Sequence, residues 1–181
     1  MKKILVLLMA LCLVGCSNGG KVEDTVEPTM TPSVEPTEET VETTSPEEEI
    51  MVFGDVEVSD EMKDKIATLY TCMEEPIQYA LTGLDETVFN SFAFVDWQEG
   101  IEAVAADALV NAIPHSVVLI KVPETVDGEA LAKEIEDNAQ LNKWVCVQAE
   151  AKAAVFKDGY ILLVMSTQDT VDAFVSAFEA M

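Results

Sequence analysis

The chain has 181 residues, of which 34 are acidic, ten basic and one histidine, for a formal net charge of −24. All ten basic residues are lysines. Nucleic-acid binding rests on phosphate neutralisation, with guanidinium the preferred bidentate donor, so this balance excludes a polyanion as bulk ligand. The same charge repels an anionic membrane surface.

The chain opens with a short basic segment, Met1-Lys2-Lys3, followed by about ten apolar residues from Ile4 to Leu13, a secretory signal pattern. A spanning helix needs roughly 20 apolar residues, and this run ends at Gly15 before polar Ser17 and Asn18. Leu13-Val14-Gly15-Cys16 resembles the bacterial lipobox at all four positions. The resemblance implies a signal peptide over residues 1–15, cleavage after Gly15, and Cys16 as the mature N-terminus, carrying acyl chains of the palmitate kind. Two such chains suffice for stable anchoring where one does not. The alternative is a plain signal peptide in which Cys16 is incidental. Cys12 reads as an apolar residue lost with the signal.

From residue 16 to residue 50 the composition turns to Pro, Thr, Glu and Val, with ten acids against Lys21 alone. Few apolar side chains remain to offset chain entropy, so a disordered, extended tether is expected. The VEPT at Val26–Thr29 and again at Val34–Thr37 reads as low-complexity drift. Thr- and Pro-rich tethers can carry O-glycans, a point on which the residues are silent.

Residues 51–181 are enough for one domain with its own core. Met62, Ile66, Leu69 and Met73 space out an amphipathic helix starting near Ser59 or Asp60. Ile101 to Leu109 alternates weakly and is expected to pair with the β-branched run Ser116–Val122, which stops at Pro123. Asp127 is placed to cap a helix carrying Leu131, Ile135 and Ala139, running to about Asn142, with Trp144 and Val145 extending its face. Ala153–Lys157 and Tyr160–Met165 flank Asp158-Gly159, a dipeptide that suits a type I′ turn, so a hairpin is expected there. Its second strand is apolar on both faces and so reads as central and covered. Ser166 and Asp169 then resemble the start of a helix whose Val171, Phe174, Val175 and Phe178 form one stripe. The sum is an α+β fold: a single small domain with an antiparallel sheet of about three or four strands in hairpins, and helices packed on one side.

The block DALVNAIPHSVVLIKVPETVDGEALAKEIEDN and the later AVFKDGYILLVMSTQDTVDAFVSAF, together with the lipobox and acidic tether, resemble the small lipoproteins grouped as domain of unknown function 4358. The likeness covers about the last eighty residues. It implies a surface lipoprotein of Gram-positive anaerobes, and it carries no catalytic motif to transfer.

Chemistry-bearing residues are sparse. His115 is the only histidine, so any Ser–His or Cys–His mechanism would have to use it, yet Ile113-Pro114-His115 reads as a loop and no G-x-S-x-G is present. Catalytic residues are therefore assigned to none. No zinc spacing joins His115 to Cys72 and Cys146. The acidic stretches Asp55–Glu61 and Asp169–Asp172 lack the order of a calcium loop, so neither a metal nor another cofactor is expected. Cys72 and Cys146 are the thiols left after lipidation. They either bridge, closing a loop of 75 residues and contributing on the order of 4 kcal/mol, or remain as two inert thiols.

The densest aromatic stretch is Phe89–Trp97, and a binding surface is placed at Phe92, Phe94 and Trp97, with core packing as the competing role. These features point to a lipid-anchored extracytoplasmic module that binds or scaffolds a protein or cell-envelope partner and does not bind nucleic acid. The rival reading is a small envelope-acting hydrolase or accessory factor, which predicts a deep cleft with convergent carboxylates near His115 or Trp97. Solute capture for a transporter ranks third, because about 130 residues are few for a two-lobed clamp.

Overall fold

The computed structural model describes residues 51–181, all within the second of the two units into which the chain divides, Ser45–Met181. The signal segment, Cys16 and the tether lie outside the described residues. The elements are β1 (Met51–Phe53), α1 (Asp60–Tyr70), β2 (Tyr79–Leu84), α2 (Phe89–Ala93), β3 (Glu102–Ala108), β4 (Ser116–Lys121), α3 (Gly128–Asn138), β5 (Ala151–Lys157), β6 (Tyr160–Ser166) and α4 (Gln168–Ala180). The strands form one six-stranded sheet in the order β1-β2-β3-β4-β6-β5. Only β1 runs parallel to its neighbour.

The expected pairing of Ile101–Leu109 with Ser116–Val122 is present as β3 against β4, with Val104 opposite Leu119. The expected hairpin is β5–β6, with Lys157 opposite Tyr160 across a turn whose Asp158 (φ 50°) and Gly159 (φ 83°) both take the positive φ that a type I′ turn needs. Asp127 caps α3 by accepting from the Ala130 amide at 3.1 Å. Ser59 does the same for α1.

Two expectations are corrected. The sheet has six strands, not three or four, because Met51–Phe53 and Tyr79–Leu84 add a flank at the β3 side. The helices cover both faces, not one. Along β4, Val118 and Ile120 pack with Leu131 and Ile135 of α3 and with Phe89 of α2, whereas Val117 and Leu119 pack with Met62 and Ile66 of α1 and Phe174 of α4. Successive side chains of a strand point to opposite faces, so a strand apolar at every position requires cover on both. At roughly 1.5–3 kcal/mol for each fully buried large aliphatic or aromatic side chain, each face holds a core of its own.

Smaller departures follow from local chemistry. The cap of α4 is Thr167, which accepts from the Thr170 amide, while Ser166 closes β6 and is buried. Helix α3 ends at Asn138, four residues before Asn142. Trp144 packs against the α2/α3 core but Val145 is fully exposed, so that face does not continue.

Candidate functional site: a cleft at Trp97

A cleft of about 230 Å³ opens at the end of the sheet where β2 stops and β3 starts. Gly83 makes it possible. A Cβ on Gly83 would lie 2.5 Å from the Val56 carbonyl oxygen, so only glycine lets the loop after β1 pass this close to β2. That loop presents Val56, Glu57 and Val58 on one side before Ser59 caps α1. On the other side Gly100, at φ 89°, turns the chain from Trp97 into Ile101 and Glu102.

The floor is apolar and buried, formed by Met62, Leu84 and Ala103. Trp97 forms a wall. Its indole meets the Phe89 ring edge-to-face at 5.2 Å, which fixes it against the core while leaving the residue half-exposed.

The rim is acidic. Asp85 accepts from the Thr87 hydroxyl at 2.6 Å, the Thr87 amide at 2.9 Å and the Val88 amide at 3.3 Å, and these bonds hold its carboxyl below the usual carboxylate range. Glu102 accepts from the Ser59 hydroxyl and ties β3 to the cap of α1. Glu57 is exposed and makes no hydrogen bond or ion pair among the described residues.

Among the described residues no lysine serves this rim, because each of the seven in residues 51–181 is engaged elsewhere. Lys63, Lys121, Lys133 and Lys143 pair with Asp60, Glu61, Asp137 and Asp107. Lys65 lies 4.4 Å above the Tyr160 ring, while Lys152 and Lys157 donate to the carbonyls of Ala139 and Glu179.

Of the residues expected to share a binding surface, only Trp97 reaches the cleft. Phe92 and Phe94 are half-buried against the α2/α3 core, and Phe92 lies 5.2 Å beneath the Lys143 ammonium. The acidic stretch Asp55–Glu61 is likewise divided. Its Glu57 joins the rim, while Glu61 accepts from Lys121 and from the Tyr160 hydroxyl. At α4, Asp172 accepts from Gln168. Among the described residues no group of three or more His, Cys, Asp or Glu is placed to hold a metal ion.

The opposite end of the sheet holds a second polar cluster, around His115 and Lys143. His115 is fully buried, with Nε2 2.8 Å from the Tyr70 hydroxyl and Nδ1 3.1 Å from the Ser166 hydroxyl. The Tyr70 hydroxyl also donates to the Ala106 carbonyl at 3.4 Å. Burial lowers the His115 pKa to about 4, partly opposed by the Asp107 charge and assisted by Lys143. Beside it, Lys143 donates to the Ser116 hydroxyl at 2.8 Å and to Asp107 at 3.2 Å. A serine next to a desolvated lysine is the geometry of an activated nucleophile, but Ser116 and Ser166 are buried, and neither hydroxyl is open to a substrate.

The cysteines are unbridged, Cys72 half-buried and Cys146 exposed. Trp97 stands out in the sequence by aromatic density alone. Gly83, Asp85 and Glu102 carry no motif; the pairing of β2 with β3 brings Asp85 and Glu102 together, and the loop after β1, admitted by Gly83, adds Glu57. No family model, no curated protein and no solved structure matches this chain.

Proposed function

We propose that this protein is a lipid-anchored extracytoplasmic binding module, held to the membrane through Cys16 and engaging a protein or cell-envelope partner through the Trp97 cleft. The observation that supports it most is the cleft itself: a concave apolar floor, a fixed indole wall and polar groups only at the rim, the usual composition of a ligand site. The lipobox and acidic tether supply the anchoring, and the resemblance to the lipoproteins of domain of unknown function 4358 points the same way. Among the described residues no helix is long and apolar enough to cross a membrane.

The test has two arms. Replacing Cys16→Ala should move the protein out of the membrane fraction. Capture from native envelope material should yield a saturable partner that the Trp97→Ala variant loses; retention no greater than that of an equally acidic control protein would remove the binding reading.

The rival is a small envelope-acting hydrolase, favoured by the convergence of Glu57, Asp85 and Glu102 on one cleft. An acid–base pair, however, needs one carboxyl kept protonated by an apolar setting. Here the three carboxylates stand exposed or half-exposed at the rim, and Asp85 is held in its charged form. Release of soluble fragments from envelope polysaccharide, abolished by Glu57→Gln or Glu102→Gln, would establish the rival.

A further inference from the structure

We infer that the Trp97 cleft takes a primary ammonium carried on a short unbranched apolar chain, the chemistry shared by a lysine side chain and a free alkylamine. This rests on the binding-module reading and specifies the ligand.

Three observations carry it. The first is shape and polarity. The cleft has about 230 Å³ of space over an apolar floor of Met62, Leu84 and Ala103. At the roughly 30 Å³ that a water occupies in the liquid, this is room for about seven or eight small groups, a hexyl chain and its head. The second is charge. Three carboxylates and no cation line the cleft, and every lysine of residues 51–181 is committed to another carboxylate, a carbonyl or an aromatic ring. The third is availability. Asp85 and Glu102 are anchored by local hydrogen bonds and therefore fixed in place, while Glu57 is exposed and has no partner among the described residues. Two positioned carboxylates and one free one around an indole give an ammonium both ion pairing and an aromatic neighbour, and give an anion neither.

An apolar chain without a charge would gain the floor alone. A carboxylate on the same chain would meet three like charges. A short alkylammonium satisfies floor and rim together.

The experiment is a titration of the full chain carrying Trp144→Phe, so that Trp97 is the only indole and its fluorescence reports on the cleft, with calorimetry on the unaltered chain as a second readout. The probes are n-hexylammonium, n-hexanol and hexanoate, in a buffer free of amines. The expected result is saturable binding of the ammonium, at least about tenfold weaker binding of the alcohol and none of the carboxylate, with the ammonium weakened as salt rises from about 20 to 300 mM. Glu57→Gln should weaken the ammonium about two- to fivefold and leave the alcohol unchanged, the scale of one exposed ion pair. A blocked lysine, acetylated on its α-amine and amidated at its carboxyl, separates the sources. Binding as tight as that of hexylammonium supports a protein-borne side chain, and weaker binding supports a free amine. Equal affinity for alcohol and ammonium overturns the inference and leaves the binding module standing. No binding of any probe by either readout also overturns it, while the envelope capture decides the module on its own.

Discussion

His115 is sealed between Tyr70 and Ser166, and in that setting it folds neutral. Its folded pKa of about 4 lies below the ordinary 6.5, so the folded state binds fewer protons than the unfolded one between these values. The stability it contributes is fully present above about pH 6.5 and is lost as pH falls towards 4, by roughly 3 kcal/mol in total. The measurement is a difference between wild type and variant, in which the groups common to both cancel. Urea unfolding of the wild type and of His115→Gln between pH 7 and 4 should show the wild type losing stability faster, and parallel curves would remove this account. The thiols permit a second test at this scale. Burial pushes the Cys72 thiol up, whereas Cys146 is exposed, so a thiol reagent at pH 8 should label Cys146 at least about tenfold faster than Cys72 in the native protein and both alike in denaturant. Equal native rates would contradict the burial of Cys72.

Between elements, Gly83 has the largest consequence. Its missing Cβ admits the loop that forms one side of the cleft, and the obstructing atom is a backbone oxygen that cannot swing aside. Gly83→Ala should therefore cost about 1–3 kcal/mol and shift Trp97 fluorescence, and unchanged stability would mean that the loop does not lie where it is placed. Most elements were legible from the chain because their signals are local. Asp158-Gly159 sets a turn by its own φ preferences, and Asp127 caps a helix with its own carboxylate. Ser166 and Thr167 show the limit. Both are good caps by residue type, and only the sheet register, which places Ser166 beside His115, leaves the cap to Thr167. Thr167→Ala should thus cost about 1 kcal/mol through the helix end alone. The second helical face was misread for a related reason. Antiparallel strands commonly leave one face wet, but β4 and β6 are apolar at nearly every position, and that pattern already required cover on both sides. The short β1 and the glycine-containing β2 escaped because neither alternates clearly. With them went the cleft, whose rim residues lie far apart in sequence and meet through the β2–β3 pairing and the loop after β1.

At the scale of the molecule, charge dominates. Residues 51–181 hold 24 acids and seven lysines, a net of −17 on a domain of this size, and the lysines are already engaged within the fold. Close ion pairs at an exposed surface contribute little, so they do not cancel the mean repulsion among the remaining carboxylates. That repulsion is relieved by unfolding, which lets the charges separate, and it is screened over a Debye length of about 10 Å at 0.1 M salt. Added NaCl should therefore stabilise the protein, raising Tm by roughly 3–8 °C between about 10 and 200 mM and levelling off as the screening length falls below the spacing of the charges. CaCl₂ at matched ionic strength should give a comparable rise, because the described residues assemble no cluster of ligands that would hold the ion. A saturable extra increment at micromolar calcium would place a specific site where none is expected, and a Tm indifferent to salt would show that the acidic surface is compensated within the fold. The same field acts on the surroundings. It turns the domain away from an anionic leaflet and draws cations towards it, the charge balance that the proposed lipid anchor and the proposed ammonium ligand both call for.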